Sequence, residues 1–83
     1  MELVDRVRKT IALFNENVRL TDDMALTGDE GKVVELARMY ASDSETWYRK
    51  GDYVTAFSGI EYAHGLLDAI LKTHGKDPYG KSK

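Results

Sequence analysis

Apolar residues recur every three or four positions along three separate stretches of this 83-residue chain. That spacing places their side chains on one side of an α-helix and leaves the charged residues on the other sides. Because glycine-containing segments separate the stretches, the chain is predicted to be all-α, with three amphipathic helices in one domain over residues 1–75. The predicted core residues are Val4, Val7, Ile11, Phe14 and Val18 in helix 1, Val33, Leu36, Ala37, Tyr40, Ser44 and Trp47 in helix 2, and Tyr53, Ala56, Ile60, Ala63, Leu67 and Ile70 in helix 3.

A glycine followed by an acidic residue predicts a tight turn between helices 2 and 3. Gly51 can take the left-handed conformation that ends a helix, and Asp52 can accept hydrogen bonds from the free amides of the next one. So short a turn makes helices 2 and 3 a long antiparallel hairpin, in which residues equidistant from the turn lie at the same height. On this register Tyr40 lies opposite Ala63. With helix 1 packed across the hairpin, the predicted fold is a three-helix bundle.

Local signals also mark the outer boundaries of the hairpin. Thr27 and Glu30 have the spacing of a capping box, so helix 2 is expected to begin near Gly28. At the other end, residues 76–83 contain the only proline and three lysines. This segment is expected to form a flexible tail after helix 3.

The composition narrows the classes of function. The chain has no cysteine, which excludes disulfides, thiolate zinc sites and cysteine chemistry. Its formal charge of −2 provides no positive field for nucleic acid, so a nucleic-acid partner is not expected. The chain contains neither an apolar run of the roughly 20 residues that a membrane span needs nor a secretory signal pattern. A cytoplasmic protein without a membrane partner is therefore expected.

A polar cluster on helices 2 and 3 is the candidate chemical site. Glu61, His64 and Asp68 project from a similar face of helix 3, and Asp43 and Tyr40 of helix 2 lie at about the same height. The Glu-x-x-His spacing occurs in carboxylate-bridged di-metal bundles, but those sites use two copies and further glutamates. The favoured interpretation is that His64 hydrogen-bonds to Asp43 or Tyr40 and fixes the hairpin register, with no metal or cofactor. Metal binding or acid–base chemistry by the same residues is the alternative.

Four pieces of the stretch from Tyr40 to Ala69 are similar to the signature region of a known family: Asp43, Lys50-Gly51-Asp52-Tyr53, Ala56-Phe57 and Tyr62-Ala63-His64-Gly65-Leu66-Leu67-Asp68-Ala69. Through these pieces the stretch resembles an uncharacterised archaeal family, domain of unknown function 357. The resemblance implies a small all-helical archaeal protein and supplies no activity, substrate or catalytic residue. The segment KGDYVTA, residues 50–56, is also similar to the turn of tetratricopeptide repeats, which implies a peptide-binding groove, although stacked repeats need at least about three units.

Two aromatic residues, Tyr48 and Tyr62, lie off the predicted core stripes. Their expected exposure favours a surface that contacts a partner protein. The number of aromatic residues also leaves a homodimer open, since self-pairing would cover apolar surface of a small bundle. The sequence therefore predicts a non-enzymatic module that binds a protein partner, and RNA binding through the lysine tail, residues 76–83, is a weaker alternative.

Overall fold

The computed structural model describes residues 1–76, which form three α-helices and no strand. Helix α1 spans Leu3–Asn17, α2 spans Gly28–Arg49 and α3 spans Tyr53–Thr73. A 3₁₀ helix, Val18–Asp23, extends α1 before the chain enters α2. The predicted all-α class is confirmed, whereas the expected flexible tail lies outside the described residues apart from Lys76.

Helices α2 and α3 pack along each other as a long hairpin, and α1 lies across both of them. Helix α1 contacts α3 more extensively than α2. The predicted three-helix bundle, with helix 1 packed across the hairpin, is therefore confirmed. Across residues 1–76, no helix combines the length and the apolar character needed to cross a membrane.

Side-chain caps fix the helix ends that the sequence predicted. The Thr27 hydroxyl accepts a hydrogen bond from the Glu30 amide at 3.1 Å, and the Glu30 carboxylate accepts one from the Thr27 amide at 3.0 Å, which completes the capping box. Gly51 ends the turn after α2 with a φ of +86°, a conformation that a side chain would strain. The Asp52 carboxylate then accepts hydrogen bonds from the amide and the hydroxyl of Thr55, at 3.1 and 2.7 Å.

The hydrophobic core lies where α1 crosses the hairpin. On α1 and α3 the predicted stripes are largely confirmed, although Val4 and Tyr53 are only half-buried. Helix α3 is the central element, since it carries the largest share of the core residues. The buried hydrophobic residues are Val7, Ile11, Phe14, Val18, Val34, Ala37, Ala41, Ala56, Ile60, Ala63, Leu67, Ile70 and Leu71.

The predicted core stripe of α2 was wrong for its largest members. Leu36, Tyr40 and Trp47 are about 40% exposed, because the buried face of α2 is turned by about one residue from the predicted one. Small side chains on the buried face allow the backbones of neighbouring helices to approach at the density of a protein interior, whereas larger ones would hold them apart. The buried residues of α2 are Val34, Ala37, Ala41 and Ser44.

A close approach within the hairpin involves Ser44 and Gly59, as the register predicted. The Ser44 hydroxyl is buried and donates a hydrogen bond to the Tyr40 carbonyl at 2.9 Å. A Cβ atom placed on Gly59 would overlap the Ser44 hydroxyl oxygen. Glycine at this position therefore allows α3 to pack directly on α2.

Candidate functional site

The structure divides the five residues of the predicted polar cluster between two grooves. Glu61, His64 and Asp68 line a groove of about 260 Å³ between α1 and α3. Tyr40 and Asp43 line a different groove, which runs along the outer face of α2 and α3. The residues that looked like one site along the sequence are therefore on two sides of the molecule.

His64 connects α3 to α1, and the expected hydrogen bond from His64 to Asp43 or Tyr40 was wrong. Its Nε2 atom lies 2.9 Å from the Thr10 carbonyl oxygen. Because a carbonyl only accepts, Nε2 carries the proton and donates it. The ring also packs edge-on against Phe14, with centroids 5.6 Å apart and planes at 88°. The position of His64 on the α1 side of α3 explains why it cannot meet residues of the outer face.

This arrangement does not favour chemistry at His64. The residue is only 6% exposed, Nε2 is already used by Thr10, and Nδ1 is buried without a hydrogen-bond partner among the described residues. Within residues 1–76, no three His, Cys, Asp or Glu side chains are placed together as a metal would require. Glu61, on the same helix, is exposed to solvent. The contacts of His64 are those of a packing residue.

The second groove, which we call the aromatic groove, has a volume of about 320 Å³. Tyr40 and Tyr62 meet across it edge to face, with ring centroids 4.7 Å apart. The Lys50 ammonium lies 5.1 Å from the Trp47 ring centroid, at cation–π distance. The described residues that line the aromatic groove are Tyr40, Asp43, Ser44 and Trp47 of α2 and Thr55, Ser58, Gly59 and Tyr62 of α3.

The aromatic groove presents large apolar side chains to solvent. Tyr62 is 51% exposed, and Leu36, four residues before Tyr40, extends the apolar line along the same side of α2. Asp43 is the only charged residue among the described ones that line the groove. An apolar surface with one well-placed charge is typical of a protein-binding patch.

The two tyrosines predicted to contact a partner differ in their placement. Tyr62 lies in the aromatic groove, whereas Tyr48 is half-buried against the core and packs on Tyr53, with ring centroids 5.6 Å apart. Leu36 and Trp47, which were assigned to the core, lie on the exposed face instead. Their large size was the available signal, since side chains of this size do not fit the close contact that Ser44 and Gly59 make.

The carboxyl groups with a shifted pKa, Glu30 and Asp52, are helix caps. Neither of them lines either of the two grooves, although Thr55, the partner of Asp52, lines the aromatic groove. Hydrogen bonds from the Thr27 amide and then from His74 lower the pKa of the Glu30 carboxyl. Hydrogen bonds from the Thr55 hydroxyl and then from its amide lower the pKa of Asp52. Each carboxylate stabilises the start of a helix, which is the role predicted for Asp52 beside Gly51.

Two comparisons with known proteins bear on this description. The family model described as "Protein of unknown function (DUF357)" matches residues 9–74. This match covers α2, α3 and most of α1, and so both grooves. A search of curated proteins found no matching relative.

Proposed function

The chain belongs to the DUF357 family of proteins of unknown function, and we propose that it is a non-enzymatic module that binds a protein through the aromatic groove. The observation that carries this proposal is the exposure of Tyr40, Trp47 and Tyr62 along one groove, with exposed Leu36 about one helical turn before Tyr40. Contact between this apolar surface and water is unfavourable. A protein partner that covered the surface would gain about 25 cal/mol for each Å² of apolar area removed from water. The proposal includes the cytoplasmic location and the archaeal origin that were expected from the sequence.

The side chains of the groove suit protein recognition better than catalysis. Tyrosine and tryptophan contribute large, rigid contact areas and are enriched among the residues that dominate binding energy. The described residues that line the groove include one carboxylate and no histidine, lysine or second carboxylate with which it could form the acid and base pair that proton transfer uses. Neither the metal alternative nor RNA binding by the tail gains support from the described residues.

The proposal is tested by identifying a partner and then covering the groove with it. Proteins retained by the tagged full chain in an extract of its native host would be identified by mass spectrometry, and the retained protein would be purified and titrated. Since Trp47 is the only tryptophan of the chain, its emission should shift to shorter wavelength as the partner covers it. The signal comes from Trp47 alone if the partner contains no tryptophan, or if Trp47 is labelled with fluorine and followed by fluorine NMR.

A matched pair of variants separates the groove from the rest of the surface. Tyr62→Ser is expected to weaken binding by about tenfold or more, as truncation of a central interface tyrosine does. Leu20→Ser, at a 40% exposed leucine of the 3₁₀ helix, should bind like the unmodified chain. The proposal fails if no protein, including the chain itself, covers Trp47, or if both variants bind equally.

A further inference from the structure

We propose that the partner seated on the aromatic groove is a second copy of this chain, joined by a two-fold axis that pairs α2 antiparallel with α2. This inference rests on the proposed function, because it assigns an occupant to the same surface. It follows from the order in which side chains are placed along the exposed face of α2, and from their charges.

The exposed line of α2 is symmetric in spacing. Leu36, Tyr40, Asp43 and Trp47 are separated by four, three and four residues, and this pattern is the same in both directions. A two-fold axis through the midpoint of the line, between Tyr40 and Asp43, would place Leu36 opposite Trp47 of the second copy. It would also place Tyr40 opposite Asp43 of the second copy. Each of these contacts occurs twice, as an isologous interface requires.

The position of Asp43 favours this occupant over a purely apolar one. A carboxylate covered by a partner must receive hydrogen bonds, because burying it unpaired is strongly unfavourable. The phenol of Tyr40 is a hydrogen-bond donor, and the two-fold axis places one against each Asp43. The second copy thus supplies the hydrogen-bond donor that a covered Asp43 requires.

Tyr62 lies close to the same axis. Its ring contacts that of Tyr40 at 4.7 Å, so it is at the height of the midpoint of the α2 line. Two copies of Tyr62 would therefore approach each other at the centre of the interface. Paired aromatic rings at such a position stabilise an interface beyond the effect of the area that they bury.

The charges at the ends of α2 are complementary in the same arrangement. The first turn carries Asp29 and Glu30, and the last turn carries Arg49, followed by Lys50. Antiparallel pairing opposes the two helix dipoles. It also places Asp29 of one copy and Lys50 of the other at the same end of the pair, about one helical turn apart along the axis, whereas Arg49 lies on the far side of α2 beside Glu45. A parallel arrangement would place like charges together.

The first experiment measures the mass of the full chain by sedimentation equilibrium over a range of concentrations. We expect a dimer, and we expect Leu36→Glu to weaken it by at least about tenfold, because two carboxylates enter the interface of each dimer. Leu20→Glu is the matched control, since Leu20 is 40% exposed and Leu36 is 39% exposed. This control should dimerise like the unmodified chain.

The second experiment tests the register and does not depend on a disruptive variant. The chain has no cysteine, so Leu36→Cys and Trp47→Cys chains can be mixed and treated with a short bis-maleimide. The expected product joins the thiol at position 36 of one copy to the thiol at position 47 of the other, in excess over links between identical chains.

Three outcomes would overturn the inference: a chain that is monomeric at submillimolar concentration, a Leu36→Glu variant that dimerises as well as Leu20→Glu, or cross-linking with no preference for the mixed pair. A monomer whose Trp47 is covered by another protein would refute the second copy and leave the proposed function in place. A monomer whose groove binds no protein would refute both.

Discussion

At the scale of single residues, Gly59 and Ser44 determine how closely the two long helices pack. The Ser44 hydroxyl is directed at the Tyr40 carbonyl and occupies the space that a Cβ on Gly59 would need. At Gly65, on the same helix, nothing beyond the adjacent residues and the nearby backbone of α3 lies within 4 Å of the corresponding position. Close packing therefore requires glycine at position 59, whereas no packing contact requires it at position 65, although both residues lie inside α3.

This difference gives opposite expected effects for the same substitution. Gly65→Ala should raise the free energy of unfolding by about 0.5–1 kcal/mol, the gain in helix propensity. Gly59→Ala should lower it by up to about 2 kcal/mol, because overpacking of about 1–3 kcal/mol outweighs that gain. Urea unfolding followed by circular dichroism measures both values.

A double-mutant cycle identifies the clash. In a Ser44→Ala background the hydroxyl is gone, and the next atoms, the Ser44 Cβ and the Tyr40 carbonyl oxygen, lie at an ordinary 3.7 Å. Gly59→Ala should then stabilise the protein by about the same amount as Gly65→Ala. Equal effects of Gly59→Ala in both backgrounds would show that the close contact is absent.

At the scale of elements, each long helix begins at a side-chain cap. Asp52 accepts two hydrogen bonds from Thr55 at the start of α3, and Thr27 and Glu30 exchange them at the start of α2. These bonds satisfy amides that have no partner inside the helix. They also favour the charged form of each carboxylate, which is why the pKa values of Glu30 and Asp52 are lowered.

A lowered pKa predicts the direction of the acid response. The folded state holds Asp52 ionised more strongly than the unfolded chain, where its pKa is near 3.8. The contribution of this cap is therefore complete above that value and is lost as the pH falls through the lower, folded pKa. Asp52→Asn keeps an acceptor for the Thr55 amide but does not titrate.

Thermal melts over the acid range measure the effect of the cap. We expect the melting temperature of the unmodified chain to fall more steeply with decreasing pH than that of Asp52→Asn. Asp23→Asn, at an exposed aspartate with no capping bond among the described contacts, serves as the control and should keep the original slope. Parallel curves for all three proteins would contradict the role of the Asp52 charge.

At the scale of the whole molecule, His64 attaches α1 to the hairpin. Its hydrogen bond joins Thr10 and His64, which are 54 residues apart along the chain. The edge contact with Phe14, which is 1% exposed, adds apolar packing at the same joint. The orientation of α1 on α3 therefore depends on this residue.

His64→Ala is expected to lower the free energy of unfolding by about 2–3 kcal/mol, through the lost hydrogen bond and the cavity left beside Phe14. His64→Gln should recover part of that loss, since its amide can donate near the position of Nε2. His74→Ala, which removes a half-buried contact with Glu30 at 3.1 Å, should cost less than about 1 kcal/mol. Denaturant unfolding at neutral pH measures the free energy of unfolding of the three variants. Equal losses for His64→Ala and His74→Ala would show that His64 does not attach α1 to the hairpin.

The sequence by itself determined the helices, their ends and the hairpin. The capping box of Thr27 and Glu30, the positive φ of Gly51 and the Asp52 cap each depend on residues within four positions of one another. Interactions this local have the same geometry wherever the helix later packs. Because the turn is short, the two helices run antiparallel. The distance of each residue from the turn then sets the register.

Only the tertiary structure decided which face of α2 is buried and what His64 contacts. Two apolar stripes run along α2, about one residue apart, and helical periodicity fits both. Packing density selects the stripe with Ala37, Ala41 and Ser44, because α2 can approach its neighbours only through small side chains. The larger stripe remains on the surface and forms the aromatic groove, and the partner of His64 comes from a helix that no local pattern connects to it.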